Sequence, residues 1–267
     1  MKSKLLKISI LSISMLTVMA GVAISPALGK IHQAFPAVGS TWIRMIVTIP
    51  SIMIMLFSLF SAKLVMVFRK RTIVIAGIML YILGGAGSAV TTSFTLLIIS
   101  RMILGIGVGL IMPLSNVLIA DFYDGVERER MIGLGTIFIN IGGVGGTLLA
   151  GLLATFNWRL AFLVYLLGVP VLILNIVGLS EPPHLQHARS EKAALPGQVI
   201  MIAIYTVLFM VAYTAVAANL SLFVAFEHLG SPGAVGGMLA IATFCGMVDG
   251  FFLNHRRLKS AGFVLVG

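Results

Sequence analysis

Between Gly133 and Gly151 the chain reads GLGTIFINIGGVGGTLLAG, nineteen residues with seven glycines and no charge. In water each of those glycines would weaken a helix by about 1 kcal/mol relative to alanine. In a bilayer the balance reverses. A lipid-embedded segment must satisfy its own backbone, which demands a helix, and small residues let two helix backbones come close. At about 100° per residue, Gly135, Gly142, Gly146 and Ala150 fall within roughly 100° of one another, while Gly133 points elsewhere. The stretch therefore reads as a membrane helix with one smooth stripe, a surface for a second helix to pack on or slide along.

Composition extends that reading to the whole chain. Of 267 residues, 59% are hydrophobic and 10% charged, which excludes a soluble domain and leaves a polytopic membrane protein. The single cysteine, Cys245, excludes an internal disulfide and a cysteine-rich metal site. A net charge of +10 does not mark a nucleic-acid binder here, because the basic residues sit in short loops between apolar runs. With the N-terminus inside, fourteen of them lie on the inner side: Lys2, Lys4, Lys7, Lys63, Arg69, Lys70, Arg71, Arg128, Arg130, Arg189, Lys192, Arg256, Arg257 and Lys259. Only Lys30, Arg44 and Arg159 lie outside, so the expected topology has a cytoplasmic N-terminus.

In order, the expected spans run from about Ile8 to Leu28, Trp42 to Val67, Ile73 to Val90 and Thr95 to Ala120, then the glycine-rich helix and a sixth span ending near Leu179. A secretory signal ending at Val18-Met19-Ala20 is the alternative for the first run, but the apolar stretch continues past it. Pro50 marks a kink in the second span. The fourth span carries Arg101, with Gly105, Gly109 and Pro113 at intervals of four. An arginine at membrane depth is expensive and faces a wet cavity, a partner, or the headgroups by snorkelling. Gly105-Ile106-Gly107-Val108-Gly109 follows no strand and is not a dinucleotide loop. Asp121 to Met131 reads as a solvated turn with short-range ion pairs.

Several of these features resemble the drug:proton antiporter branch of the major facilitator superfamily. Gly133, Gly142, Gly146-Thr147 and Ala150-Gly151 match the spacing of its fifth-helix antiporter motif, with Thr147 in place of a proline and Ala150 in place of a glycine. Thr147 is expected to bend the helix mildly by bonding back to the Gly143 carbonyl. Arg101 with Gly105 is similar to the fourth-helix motif, and Trp158-Arg159 with Phe162 to the opening of the sixth helix. Lys63, Arg69, Lys70 and Arg71 resemble the gating loop after the second helix, but Met66 stands where that loop has its aspartate. The resemblance implies an all-α, polytopic transmembrane helix bundle that rocks two halves around a midplane cavity.

On that reading, residues 1–179 form a complete six-helix N-terminal bundle and 180–196 a cytoplasmic linker. Residues 197–267 then form a partial C-terminal bundle of two spans and the start of a third, so the chain is expected to be C-terminally truncated. A substrate cavity would present Arg101, Met112, Asn116, Asn140, Met53 and Ser25. The competing reading makes the methionines generic packing and Asn140 a helix–helix bond. No nucleophile–base pair or metal cluster stands out, so neither an enzyme nor a cofactor is expected. His184 and His187 lack a third ligand and read as linker residues. The first four spans hold no carboxylate, and Asp249 is the one acid at membrane depth, so proton coupling comes from the resemblance alone. The expected function is plasma-membrane export of drug-like amphipathic molecules by alternating access with proton antiport. The expected partners are a small-molecule substrate, the lipid bilayer and protons. The alternatives are a transport-inactive fragment serving as a structural or partner-binding bundle, and a facilitator for sugars or other small metabolites.

Overall fold

The computed structural model of the chain describes residues 2–181 and, further on, 222–227, 230–241 and scattered positions from 201 to 220. Among the described residues six stretches are long and apolar enough to cross a membrane: Lys4–Ala34, Ser40–Val67, Lys70–Val90, Phe94–Phe122, Gly125–Phe156 and Leu160–Gly178. The first is α1 (Lys2–Val22), a 3₁₀ turn (Ser25–Ala27) and α2 (Leu28–Ala34) in succession. Pro26 sits in the first turn of that 3₁₀ segment, where its missing N–H costs nothing. Helices α3 (Ser40–Val67), α4 (Lys70–Gly87), α5 (Phe94–Phe122) and α6 (Gly125–Phe156) follow. The last span is 3₁₀ from Leu160 to Leu167 before it relaxes into α7 (Gly168–Gly178). A short apolar helix, α8 (Pro232–Ile241), belongs to the C-terminal stretch.

The boundaries follow from local chemistry. Ser93 accepts the Leu96 N–H at 3.2 Å and starts α5. Gly125, with φ of 54°, supplies the left-handed residue that turns the chain into α6. Pro50 and Pro113 lie inside α3 and α5 without ending them.

Helix α5 is the post of the bundle, packed on α3 along one side and α4 along another, while α1 lies against α6, α5 and α7. Glycine sets both α5 contacts. A methyl on Gly105 would lie 2.6 Å from the Pro50 carbonyl oxygen, and one on Gly109 2.9 Å from that of Ile54. On the other side, one on Gly107 would lie 2.6 Å from the Gly77 carbonyl oxygen. The GIGVG run is thus two helix seams back to back, where contact between backbones replaces side-chain packing. Trp158 is mostly buried. Its ring meets those of Phe35 at 5.6 Å and Phe162 at 6.1 Å, and Arg159 lies over it at 4.5 Å.

Candidate functional site

The small-residue stripe of α6 is inserted between two other helices. Gly142 abuts the backbone of Met15 in α1. Gly146 receives the Met19 side chain, with a would-be methyl 3.1 Å from its Cε. Ala150 is fully buried. One turn on, Gly151 faces the Pro232 carbonyl oxygen at 2.9 Å and the Gly236 Cα at 3.0 Å, measured from where a Cβ would stand. Gly236 in turn lies under the Thr147 carbonyl oxygen, at 2.8 Å by the same measure. Gly133 touches nothing within 4 Å of its missing side chain. The Thr147 hydroxyl donates to Gly143 O at 2.8 Å and reaches Val144 O at 3.0 Å. The small residues of α6 therefore meet α1 on one side of the helix and α8 on another.

Arg101 is fully buried. Its guanidinium lies between two rings, 4.8 Å from the Phe162 centroid and 4.8 Å from that of Tyr165. One terminal nitrogen donates to Gly84 O (3.0 Å), Gly85 O (2.9 Å) and Ser88 Oγ (2.6 Å). Ser100 donates to Gly84 O as well, at 2.6 Å, and its oxygen lies 2.7 Å from that of Ser88. Gly84 and Gly85 belong to the last turn of α4, whose carbonyls have no partners within the helix and carry its negative pole. Of the settings open to Arg101 from sequence, the structure shows a protein one: carbonyls, a hydroxyl and two aromatic faces meet its guanidinium, while Nε and Nη1 have no hydrogen-bond partner among the described residues.

The other expected site residues are dispersed. Ser25 is fully buried, and its hydroxyl has no protein partner among the described residues. Met53 is half-buried against Gly105. Met112 and Asn116, four apart on α5, are exposed on one face of that helix. Asn140 is half-buried and gives its amide to Thr136 O, 2.8 Å away.

At the end of the bundle that holds the α3–α4 turn, the four gating-loop residues divide in two. Lys63 and Arg69 are exposed. Lys70 donates to Asp121 at 2.7 Å, with side chains 17% and 0% exposed. Arg71 donates to Ile176 O. Glu181 accepts the backbone N–H groups of Lys70 (2.9 Å) and Arg71 (3.3 Å), so it caps α4 from beyond α7. Lys7 pairs with Glu127 and lies 5.6 Å from the Tyr123 ring. Burial pushes the Tyr123 phenol above its usual range, against the pull of Lys7 and with a smaller push from Glu127. These ion pairs join residues 51 and 120 positions apart, so the expectation of short-range pairs around Asp121 is corrected. The Glu181 cap went unread because its only sequence signal is an acid placed just after an apolar run. His184, His187 and Asp249 lie outside the described residues.

The sequence pattern of the Major Facilitator Superfamily matches residues 8–267. The chain belongs to that superfamily. Over 182 residues it is 29% identical to the multidrug resistance protein Stp of Mycobacterium tuberculosis (strain CDC 1551 / Oshkosh), covering 67% of this chain and 33% of Stp. Over 180 residues it is 28% identical to the multidrug efflux pump SdrM of Staphylococcus aureus (strain N315), covering 66% of this chain and 39% of SdrM. The fold is also that of a bacterial homolog of the human lysosomal transporter Spinster in an inward-facing, occupied conformation. That match has a TM-score of 0.71 and 19% identity, over 92% of this chain and 60% of the other. With six apolar spans, this facilitator is a multi-pass membrane protein of a transporter family.

Proposed function

We propose that this facilitator exports drug-like amphipathic small molecules from the cytoplasm across the plasma membrane, by alternating access with protons moving the other way. One observation carries the reading: the α6 glycine face meets α1 through Gly142 and Gly146 and meets α8 through Gly151 and Gly236. Where backbones touch with no side chain between them, as those of Gly151 and Gly236 do, two helices can shift along one another, which is what two rocking halves require. The relatives named for multidrug resistance and efflux support the substrate class. The likeness of the α6 spacing to the antiporter motif supports exchange against protons. The linker at 180–196, the partial second half at 197–267 and the cytoplasmic N-terminus belong to the same proposal.

The test is expression in a bacterial host stripped of its own drug pumps. The reading requires raised inhibitory concentrations for several unrelated lipophilic compounds, together with ethidium efflux that an uncoupler abolishes. Unchanged sensitivity with the protein verified in the membrane overturns it. Thiol labelling of single cysteines placed at Arg69 and Arg128 in a Cys245→Ser background checks the topology. Both must be on the cytoplasmic side.

A further inference from the structure

A cleft of about 390 Å³ lies where α2, the end of α6 and the start of α8 meet. That volume suits a small organic molecule. One wall is apolar, from Pro26, Val224 and Val235. The polar lining comes from four side chains. Lys30 and Gln33, three residues apart, share a face of α2, and Thr155 and Ser231 complete the rim. His32 meets the Phe226 ring edge-on at 5.1 Å and holds that segment against α2 beside the cleft. Among the described residues no acidic side chain lines the cleft and no carboxylate lies within ion-pair distance of Lys30. The first turn of α8 adds the positive end of a helix to the same side.

From this geometry we infer a binding station for small amphipathic carboxylates, with the anionic head on Lys30 and Gln33 and the apolar body against Pro26, Val224 and Val235. It adjoins the α6–α8 contact, since Pro232 both lines it and meets Gly151, but it does not depend on the export reading. An apolar wall without a cation would favour neutral compounds. A lone surface lysine would select no body. The cleft is half open, with Lys30 and Gln33 exposed at it, and it offers both features within one space of ligand size, so the charge and the apolar part are recognised together.

The test uses the purified full chain in phosphatidylcholine nanodiscs, which carry no anionic lipid, and three probes of one shape: 2-naphthoate, 2-naphthamide and 2-naphthylmethylammonium. Binding is read by calorimetry, with empty discs subtracted. The carboxylate is expected to bind about tenfold tighter than the amide, as one charge-assisted contact implies. Lys30→Gln should erase that preference, Lys30→Arg should keep it, and Lys30→Glu should transfer it to the ammonium. Lys63→Gln, at the opposite end of the bundle, should change nothing. Equal binding of the three probes to the unaltered chain overturns the station, as does a carboxylate preference that survives Lys30→Gln. Because binding is measured directly, a negative drug-resistance result leaves this outcome untouched.

Discussion

Gly151 of α6 and Gly236 of α8 stand backbone to backbone, so close that a methyl on Gly151 would lie 3.0 Å from the Gly236 Cα. The contact has no flexible side chain to give way. Gly151→Val is therefore expected to wedge α8 off α6 and suppress drug efflux while leaving membrane expression intact. Transport assays and quantitative blotting of the same cells check this, and wild-type efflux in the valine variant would refute it.

Gly133 and Gly142 sit on one helix and should respond oppositely. A methyl on Gly142 drives into the backbone of Met15, whereas Gly133 meets nothing. Gly142→Ala is expected to cost about 1–3 kcal/mol through overpacking. Gly133→Ala is expected to be neutral or to stabilise by roughly 0.5–1 kcal/mol through reduced freedom of the unfolded chain. Thermal unfolding of the two variants in detergent gives the comparison.

Arg101 acts in this structure as a plug on the last turn of α4. Arg101→Ala removes a charged donor from the Gly84 and Gly85 carbonyls, which keep the weaker hydroxyl and amide donors of Ser88 and Ser100, and removes a cation from two rings. A loss on the order of 2–3 kcal/mol is expected. Arg101→Lys should recover part of it, since an ammonium keeps the charge but lacks the flat face that stacks. If Arg101 served substrate alone, transport would fall with the unfolding midpoint unchanged, and paired measurements separate the two roles.

Lys70 and Lys7 both pair with acids, but in different surroundings. The Lys70–Asp121 pair is largely buried, while Lys7 and Glu127 are 38% and 54% exposed. Lys70→Ala should destabilise by about 3 kcal/mol, because it takes the ammonium partner away from a buried carboxylate. Lys7→Ala should cost under about 1 kcal/mol, and less in high salt. Unfolding midpoints at two salt concentrations distinguish the pairs.

Much of the bundle was legible because membrane helices announce themselves by length and apolarity. The stripe of Gly135, Gly142, Gly146 and Ala150 was readable from helical spacing alone, and so was the Thr147 bond to Gly143. What was not legible depends on elements far apart in the chain. The carbonyls that hold Arg101 are not readable from the sequence, because nothing in it says that the end of α4 lies beside that arginine. Lys70 gave no hint of Asp121, nor Lys7 of Glu127, since pairs across a bundle leave no periodic trace. The 3₁₀ stretch from Leu160 to Leu167 also escaped, because its composition is that of any apolar helix.

Thr147 gives α6 something a proline at that position would not. A proline fixes its bend by a permanent ring clash and the loss of an N–H. The Thr147 hydroxyl has two acceptors at nearly equal range, Gly143 O and Val144 O, one residue apart. It can trade one for the other without leaving either state unbonded, so the curvature of this rod is set by a swivel with two stops rather than by a welded elbow.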